Sequence, residues 1–319
     1  MALNIRKAVR EQVYTKIALM GSSGCGKTYS ALRLATGMKK RLDELNGGNA
    51  KILLANTEGS RGVYYANEFE YDIADLEPPY NPEAYIELIE DAIEAKYDIL
   101  IIDSASPEWE GKGGCLELHS MLGGKLQDWA SISPRHEKFL DAIEKSSIHI
   151  IATLKGKDQY EIDKDDKGKV SVKKLGLGTR QREGFEYRFT CTFAIDQASH
   201  SAVAQKDNTH IFENTTGEIL SEKYGVKIID WANSSDVEPS KNYVIANTVE
   251  QKEQQNALFE ETRNKIKEIA LALKEGGNVA KYNEVVKLYL PNRKVSDCTI
   301  EDLPTMTKIL EMLVEETKA

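Results

Sequence analysis

The stretch GSSGCGKT at residues 21–28 matches the phosphate-loop pattern G-x-x-x-x-G-K-[ST] at every fixed position. Such a loop surrounds phosphates with backbone N–H groups and with the positive end of the helix that follows it. We expect Lys27 to reach the β- and γ-phosphates and the Thr28 hydroxyl to hold Mg²⁺. The alternative is an ordinary Gly/Ser turn with a solvated Lys27. The residues predicted to surround the nucleotide are Gly21, Ser22, Ser23, Gly24, Cys25, Gly26, Lys27, Thr28 and Tyr29.

Two acidic residues follow apolar runs further along the chain. Asp103 comes directly after ILII, which is typical of a Walker B carboxylate that meets Mg²⁺ at the tip of a buried strand. Glu58 follows the run ILLA, where a carboxylate would orient and deprotonate the attacking water. Glu108 and Glu110 are alternatives for this second role. The structural alternatives are an Asp that caps a turn and an acid that is solvated in one.

Polar and basic residues follow the apolar strand predicted at 148–154. Thr153 and Lys155 end that strand, either as sensors of the γ-phosphate or as partners of loop backbone. From Lys167 to Arg182 the sequence KGKVSVKKLGLGTRQR carries six Lys or Arg and no acid. A flexible basic segment suits a phosphate backbone without base reading, although a solvated surface hairpin also explains it.

The elements that must position these residues are apolar strands alternating with amphipathic helices. This alternation predicts an α/β fold with a mostly parallel sheet and helices on both faces, and a ligand site at the carboxyl ends of the strands. Residues 185–196 and 200–207 are predicted to form a hairpin. The other predicted strands are 16–20, the ILLA run within 51–60, the start of 71–82, 97–104 and 148–154, and the helices are 29–42, 82–96 and 134–146.

Length and composition favour a globular protein with one large domain and a smaller one, and we expect a core of 1–231, a linker of 232–257 and a helical C-terminal region of 258–319. No apolar run is long enough to cross a bilayer, and the N-terminus lacks the apolar stretch of a signal peptide. The four cysteines, Cys25, Cys115, Cys191 and Cys298, are far apart with no His at metal spacing. We therefore expect a cytoplasmic protein with reduced thiols and no membrane association.

The motifs GSSGCGKT, LLANTEG and LIIDS, followed by a helix, an apolar strand and a long basic loop, resemble the RecA/Rad51-type P-loop core. KTYSALRLA, DLEPPYNPEAYIE, IIDSASPEWEGKGG, SPRHEKFLDAI and HIIATLKGK are similar to motifs of bacteriophage RecA-related ATPases, some of which are single-strand annealing proteins. The similarity spans roughly residues 15–215. This sequence differs from the family near the end of the strand before the second loop. A Gln is usual there, whereas this strand ends in Thr153, Leu154 and Lys155.

The resemblance implies an ATPase that uses ATP and Mg²⁺ and assembles as a homo-oligomer on single-stranded DNA during recombination or replication. It implies phosphate and Mg²⁺ roles for Lys27 and Thr28, the Walker B role for Asp103 and the catalytic role for Glu58. It also implies that 104–114 and 155–182 face DNA. The candidate DNA-binding residues are Lys155, Lys157, Lys167, Lys169, Lys173, Lys174, Arg180 and Arg182.

Two other functions remain open from the sequence. One is a nucleotide-gated adaptor whose C-terminal helices recruit a single-strand-binding or other replication protein. The other is a small-molecule kinase in which the basic loop closes over the γ-phosphate.

Overall fold

The computed structural model describes residues 7–164, 170–179, 181–182, 184–213, 217–235, 243–275, 278–290, 293–299 and 302–318. The chain divides into two compact units, Met1–Ile245 and Ala246–Ala319. None of the helices in the described part of the chain combines the length and apolar character that crossing a bilayer requires.

The first unit is built on a sheet whose strands run in the order β3-β2-β4-β5-β1-β7-β8. All neighbours from β3 to β7 are parallel, while β8 pairs antiparallel with β7 and β6 pairs antiparallel with the outer part of β5. The strands are β1 (Lys16–Gly21), β2 (Ile52–Asn56), β3 (Asp72–Asp75), β4 (Ile99–Asp103), β5 (His149–Lys164), β6 (Val170–Thr179), β7 (Cys191–Ile195) and β8 (Ala202–Asp207).

Helices cover both faces of this sheet. Strand β1 shows why, because Ile17 and Leu19 belong to one apolar core and Ala18 and Met20 to the other. Helices α1 and α6 complete the first core, and α2 and α5 complete the second. The helices of this unit are α1 (Lys27–Asn46), α2 (Pro82–Glu94), α3 (Pro107–Glu110), α4 (Cys115–Met121), α5 (Trp129–Lys145) and α6 (Glu222–Ala232).

The predicted fold class is therefore confirmed as α/β with a mostly parallel sheet, and three predicted elements differ by five or more residues at one end. Strand β5 continues to Lys164 and forms a long hairpin with β6, whereas the sequence predicted its end at residue 154. The predicted strand 185–196 begins with a 3₁₀ turn, Phe185–Arg188, which packs Phe185 into the core, so only Cys191–Ile195 pairs in the sheet. Helix α5 begins at Trp129, before the predicted start at residue 134.

The second unit contains its own apolar core of helices. Helix α7 (Tyr243–Glu275) begins just before it, and α8 (Val279–Tyr289) and α9 (Leu303–Lys318) follow. Ile266, Met306, Ile309 and Leu313 are fully buried in this core. The second half of the predicted linker, 243–257, is therefore helical, because α7 starts well before residue 258.

Candidate nucleotide-binding site

The phosphate loop joins β1 to α1 by a tight glycine-dependent path. Gly24 and Gly26 have φ values of 80° and 92°, a region that side chains with a Cβ rarely adopt. A Cβ on Gly21 would lie 2.2 Å from Cys25 Sγ. Helix α1 starts at Lys27, directly after Gly26, so its first N–H groups open onto the loop. The loop therefore has the backbone geometry that phosphate binding requires.

Lys27 lies within this loop. Its Nζ donates hydrogen bonds to the carbonyl oxygens of Gly21, at 2.9 Å, and Ser22, at 2.8 Å. The ammonium group is among the groups that line the cavity beside the loop. A phosphate oxygen there would meet a cation that the loop backbone already holds in place.

Asp103 ends β4 and lies beside the loop. The Thr28 hydroxyl donates to its Oδ2 at 2.6 Å, and the Thr153 hydroxyl, from β5, donates to its Oδ1 at 2.5 Å. Burial raises the pKa of the Asp103 carboxyl, and the hydrogen bonds from Thr153 and Thr28 oppose that shift. Hydroxyl and carboxylate oxygens are the protein ligands that Mg²⁺ prefers, so Thr28 and Asp103 fit this ion.

Glu58 follows β2 at the same edge of the sheet. Its Oε1 lies 3.4 Å from Lys155 Nζ and its Oε2 lies 3.4 Å from Arg61 Nη1. The backbone N–H of Glu58 donates to Asn56 Oδ1 at 3.0 Å, which fixes the turn after the strand. Its side chain is 24% exposed and lines the cavity with Asp103. Glu58 is therefore a carboxylate that solvent reaches within the cavity that Asp103 also lines.

These groups surround one cavity of about 970 Å³, a size suited to a nucleotide. It opens at the carboxyl ends of the strands, where ligands bind in parallel α/β sheets. The predicted residues that line it are Gly21, Ser22, Ser23, Gly24, Gly26, Lys27, Thr28, Tyr29, Glu58, Asp103 and Lys155. Cys25 is fully buried behind the loop, and Thr153 reaches the site through Asp103.

Sequence reasoning missed the loop between β7 and β8, which supports the phosphate loop from its other side. His200 Nδ1 lies 3.0 Å from the Cys25 carbonyl oxygen, and Gln197 Nε2 donates to the Ser23 carbonyl oxygen at 3.2 Å. His200 and Ile219 line the cavity there. No sequence motif identifies this segment. It reaches the phosphate loop because β7 pairs with β1 in the sheet, a contact between distant parts of the chain.

Glu108 lies away from the cavity, in a fully buried cluster. Its Oε1 accepts a hydrogen bond from Cys115 Sγ at 3.1 Å and lies 3.0 Å from His136 Nδ1. Gln181 Nε2 lies 3.4 Å from Glu108 Oε2 and donates to the Ala105 carbonyl oxygen at 2.9 Å. Burial and the nearby Glu108 charge raise the pKa of the Cys115 thiol. Glu110 is exposed, and neither Glu108 nor Glu110 lines the cavity that Glu58 lines.

The candidate DNA-binding residues fall mostly on the β5–β6 hairpin. Lys155 stands where β5 leaves the sheet, and Arg182, after β6, has its Nη1 3.5 Å from Glu137 Oε1. Lys157, Lys173 and Lys174 lie on the paired strands of the hairpin, and their side chains lie outside the described residues. Lys167, Lys169 and Arg180 lie outside the described residues altogether.

A comparison with curated proteins found no match. A family model described as an AAA domain matches residues 14–220, well over half of the chain. The match covers the phosphate loop, Glu58, Asp103, Lys155 and the β5–β6 hairpin. The chain thus belongs to the AAA-domain family of P-loop proteins.

Proposed function

We propose that this protein hydrolyses ATP with Mg²⁺ and couples that reaction to single-stranded DNA in recombination, annealing or replication. One observation carries the hydrolysis: Lys27, the Thr28–Asp103 pair, Glu58 and Lys155 meet around one cavity at the carboxyl edge of the sheet. They come from the phosphate loop after β1, from the ends of β2 and β4 and from β5, so their convergence depends on the order of strands in the sheet.

In the proposed reaction, Lys27 and the loop N–H groups bind the β- and γ-phosphates and offset their charge. Thr28 and Asp103 would hold Mg²⁺, which would supply positive charge to stabilise the charge that develops on the phosphate oxygens. Glu58 accepts a proton from the attacking water through a carboxylate oxygen. Lys155, 3.4 Å from Glu58 Oε1, donates to the γ-phosphate and links its presence to the position of the base.

The test is ATP turnover by the full chain in water, with no other phosphate acceptor. We expect phosphate release that requires Mg²⁺ and is lost in Lys27→Ala. Lys40→Ala, an exposed lysine on the same helix, is the control and should turn over like the parent. Turnover that appears only when a small-molecule acceptor is added would instead support the kinase alternative.

The DNA step is supported by where the β5–β6 hairpin starts. Gly21 of the phosphate loop pairs with Lys155, and the next residue, Gly156, already pairs with Thr179 of the hairpin. A strand that contacts the nucleotide site at one end and continues into a hairpin offers a direct mechanical link between the two, and β6 of that hairpin carries Lys173 and Lys174 and no acid. Phosphate-backbone binding by such a hairpin depends on charge and weakens with salt.

We expect single-stranded DNA to bind at low salt and to change the ATPase rate. Lys173→Glu with Lys174→Glu should weaken that binding and remove the rate change while the DNA-free rate stays the same. Lys39→Glu with Lys40→Glu is the charge-matched control on α1. Equal DNA affinity for both double variants would contradict the assignment of the hairpin, and no DNA binding at low salt would contradict a DNA role.

A nucleotide-gated adaptor is the second candidate, and the independent core of Ala246–Ala319 favours it. Leu258, Leu271 and Leu288 of this unit are at least half exposed, so an apolar partner has side chains to contact. This function predicts ATP-dependent retention of a single-strand-binding or other replication protein that is lost when residues 246–319 are removed. Sedimentation with and without ATP measures homo-oligomerisation. It therefore distinguishes recruitment of a partner protein from self-assembly of the first unit.

A further inference from the structure

We propose that Glu108, Cys115 and His136 form a zinc site in the first unit. The three residues come from three consecutive helices, α3, α4 and α5, and each side chain is fully buried. One ligating atom from each lies within 4.8 Å of those of the other two. The site is separate from the proposed nucleotide cavity, which none of the three residues lines.

The distances within the cluster approach those around a zinc ion. Glu108 Oε1 lies 3.1 Å from Cys115 Sγ and 3.0 Å from His136 Nδ1. Ligands about 2.0–2.3 Å from a tetrahedral zinc lie roughly 3.3–3.8 Å from one another. Side-chain shifts of a few tenths of an ångström therefore open the cluster enough to admit the ion.

The ligand types select zinc over the Mg²⁺ of the nucleotide site. Mg²⁺ and Ca²⁺ prefer oxygen ligands alone, whereas a thiolate, an imidazole and a carboxylate together suit Zn²⁺. Coordination takes the proton from the Cys115 thiol to solvent, so two buried negative charges face the divalent cation. This leaves the fourth tetrahedral position for a water molecule.

Surrounding groups already orient the ligands. Gln181 Nε2 lies 3.4 Å from Glu108 Oε2, and the Trp109 ring meets the His136 ring edge-on at 5.2 Å between centroids. Such outer contacts fix the rotamers of metal ligands. A bound zinc would tie α3, α4 and α5 together beside Gln181, which follows the end of β6.

Metal content of the full chain tests this site, and the test is independent of ATP hydrolysis. Because the cluster is buried, the ion must enter during folding, so the protein is produced in zinc-supplemented medium and purified through a chelator. Elemental analysis should find one zinc ion per chain. Production in cobalt-supplemented medium should give a thiolate-to-cobalt absorption band, which an oxygen-only magnesium site does not give.

Cys115→Ser should lose both the bound zinc and the cobalt band. The variant keeps a hydroxyl that donates to Glu108, and its circular dichroism shows whether it is folded. Cys191→Ser is the matched control, because Cys191 is also buried and donates to an acid, Asp207 Oδ1 at 3.4 Å. It should keep the metal. A folded parent chain with no zinc, or a cobalt band that persists in Cys115→Ser, would overturn the site and leave a hydrogen-bonded network.

Discussion

Glu58 and Glu108 both follow strands that end near the proposed nucleotide, but their surroundings differ. Glu58 is partly exposed, lines the cavity and contacts two flexible cations at 3.4 Å each. Glu108 is fully buried and receives its contacts from Cys115, His136 and Gln181. A carboxylate that must take a proton from water needs access to water, whereas one that holds helices together needs enclosure. On this basis we propose a catalytic role for Glu58 and a structural role for Glu108.

Glu58→Gln gives the largest expected effect. A glutamine keeps the shape of the side chain but cannot accept the proton, so we expect the ATPase kcat to fall about 10²–10⁴-fold. ATP affinity and the unfolding midpoint should stay close to those of the parent. Single-turnover hydrolysis and equilibrium binding of ATP measure the two effects separately, and an unchanged kcat would remove Glu58 from the reaction.

Glu108→Gln should produce the opposite pattern. In the metal-free protein the amide supplies only one acceptor oxygen to donors that now share a carboxylate, so we expect the free energy of unfolding to fall by about 2 kcal/mol. Urea denaturation measures this loss, and the folded fraction should retain its kcat. Glu110→Gln, at an exposed position, should change stability by less than about 0.5 kcal/mol. A large loss of kcat in folded Glu108→Gln would erase the contrast with Glu58.

Lys155→Met sharpens the role of the cations that contact Glu58. We expect kcat to fall about tenfold or more, because a donor to the developing phosphate charge is lost. Arg61→Met is the matched control, since Arg61 contacts the other oxygen of Glu58 at the same distance but its side chain is 65% exposed. Steady-state kinetics that change equally in both variants would show that the ion pair, and not contact with phosphate, is what matters.

Asp103→Asn extends the comparison to the third carboxylate, where the expected effect on the stability of the Mg²⁺-free protein is the smallest. Burial raises the Asp103 pKa in the folded state, so the folded protein binds this proton more tightly than the unfolded chain does. Its contribution to stability therefore declines as pH rises from the unfolded pKa to the raised folded pKa. Without Mg²⁺, the variant should be more stable than the parent above this interval and equal to it below, by urea denaturation at both pH values. A variant that is less stable at neutral pH would contradict this sign.

The sequence predicted the fold class and the local parts of the site. A phosphate loop is one continuous segment whose glycines and Lys27 are fixed by neighbours in the chain, so its geometry follows from local rules. Alternating apolar strands and amphipathic helices were also local signals. Exact ends were less predictable: β5 runs on to Lys164 because β6 pairs with it, which is a contact between distant residues.

Tertiary structure decided which distant groups meet. The order of strands sets β5 between β1 and β4, and this brings Thr153 to Asp103 and Lys155 to Glu58. The spacing of the cysteines indicated no metal site, yet the packing of α3 and α4 against α5 brings Cys115 to Glu108 and His136. Sequence by itself thus determined that this chain carries a phosphate loop in an α/β sheet. Only the packing of that sheet and its helices assigned one glutamate to the cavity and the other to the interior, because burial depends on neighbours that are far away in the chain.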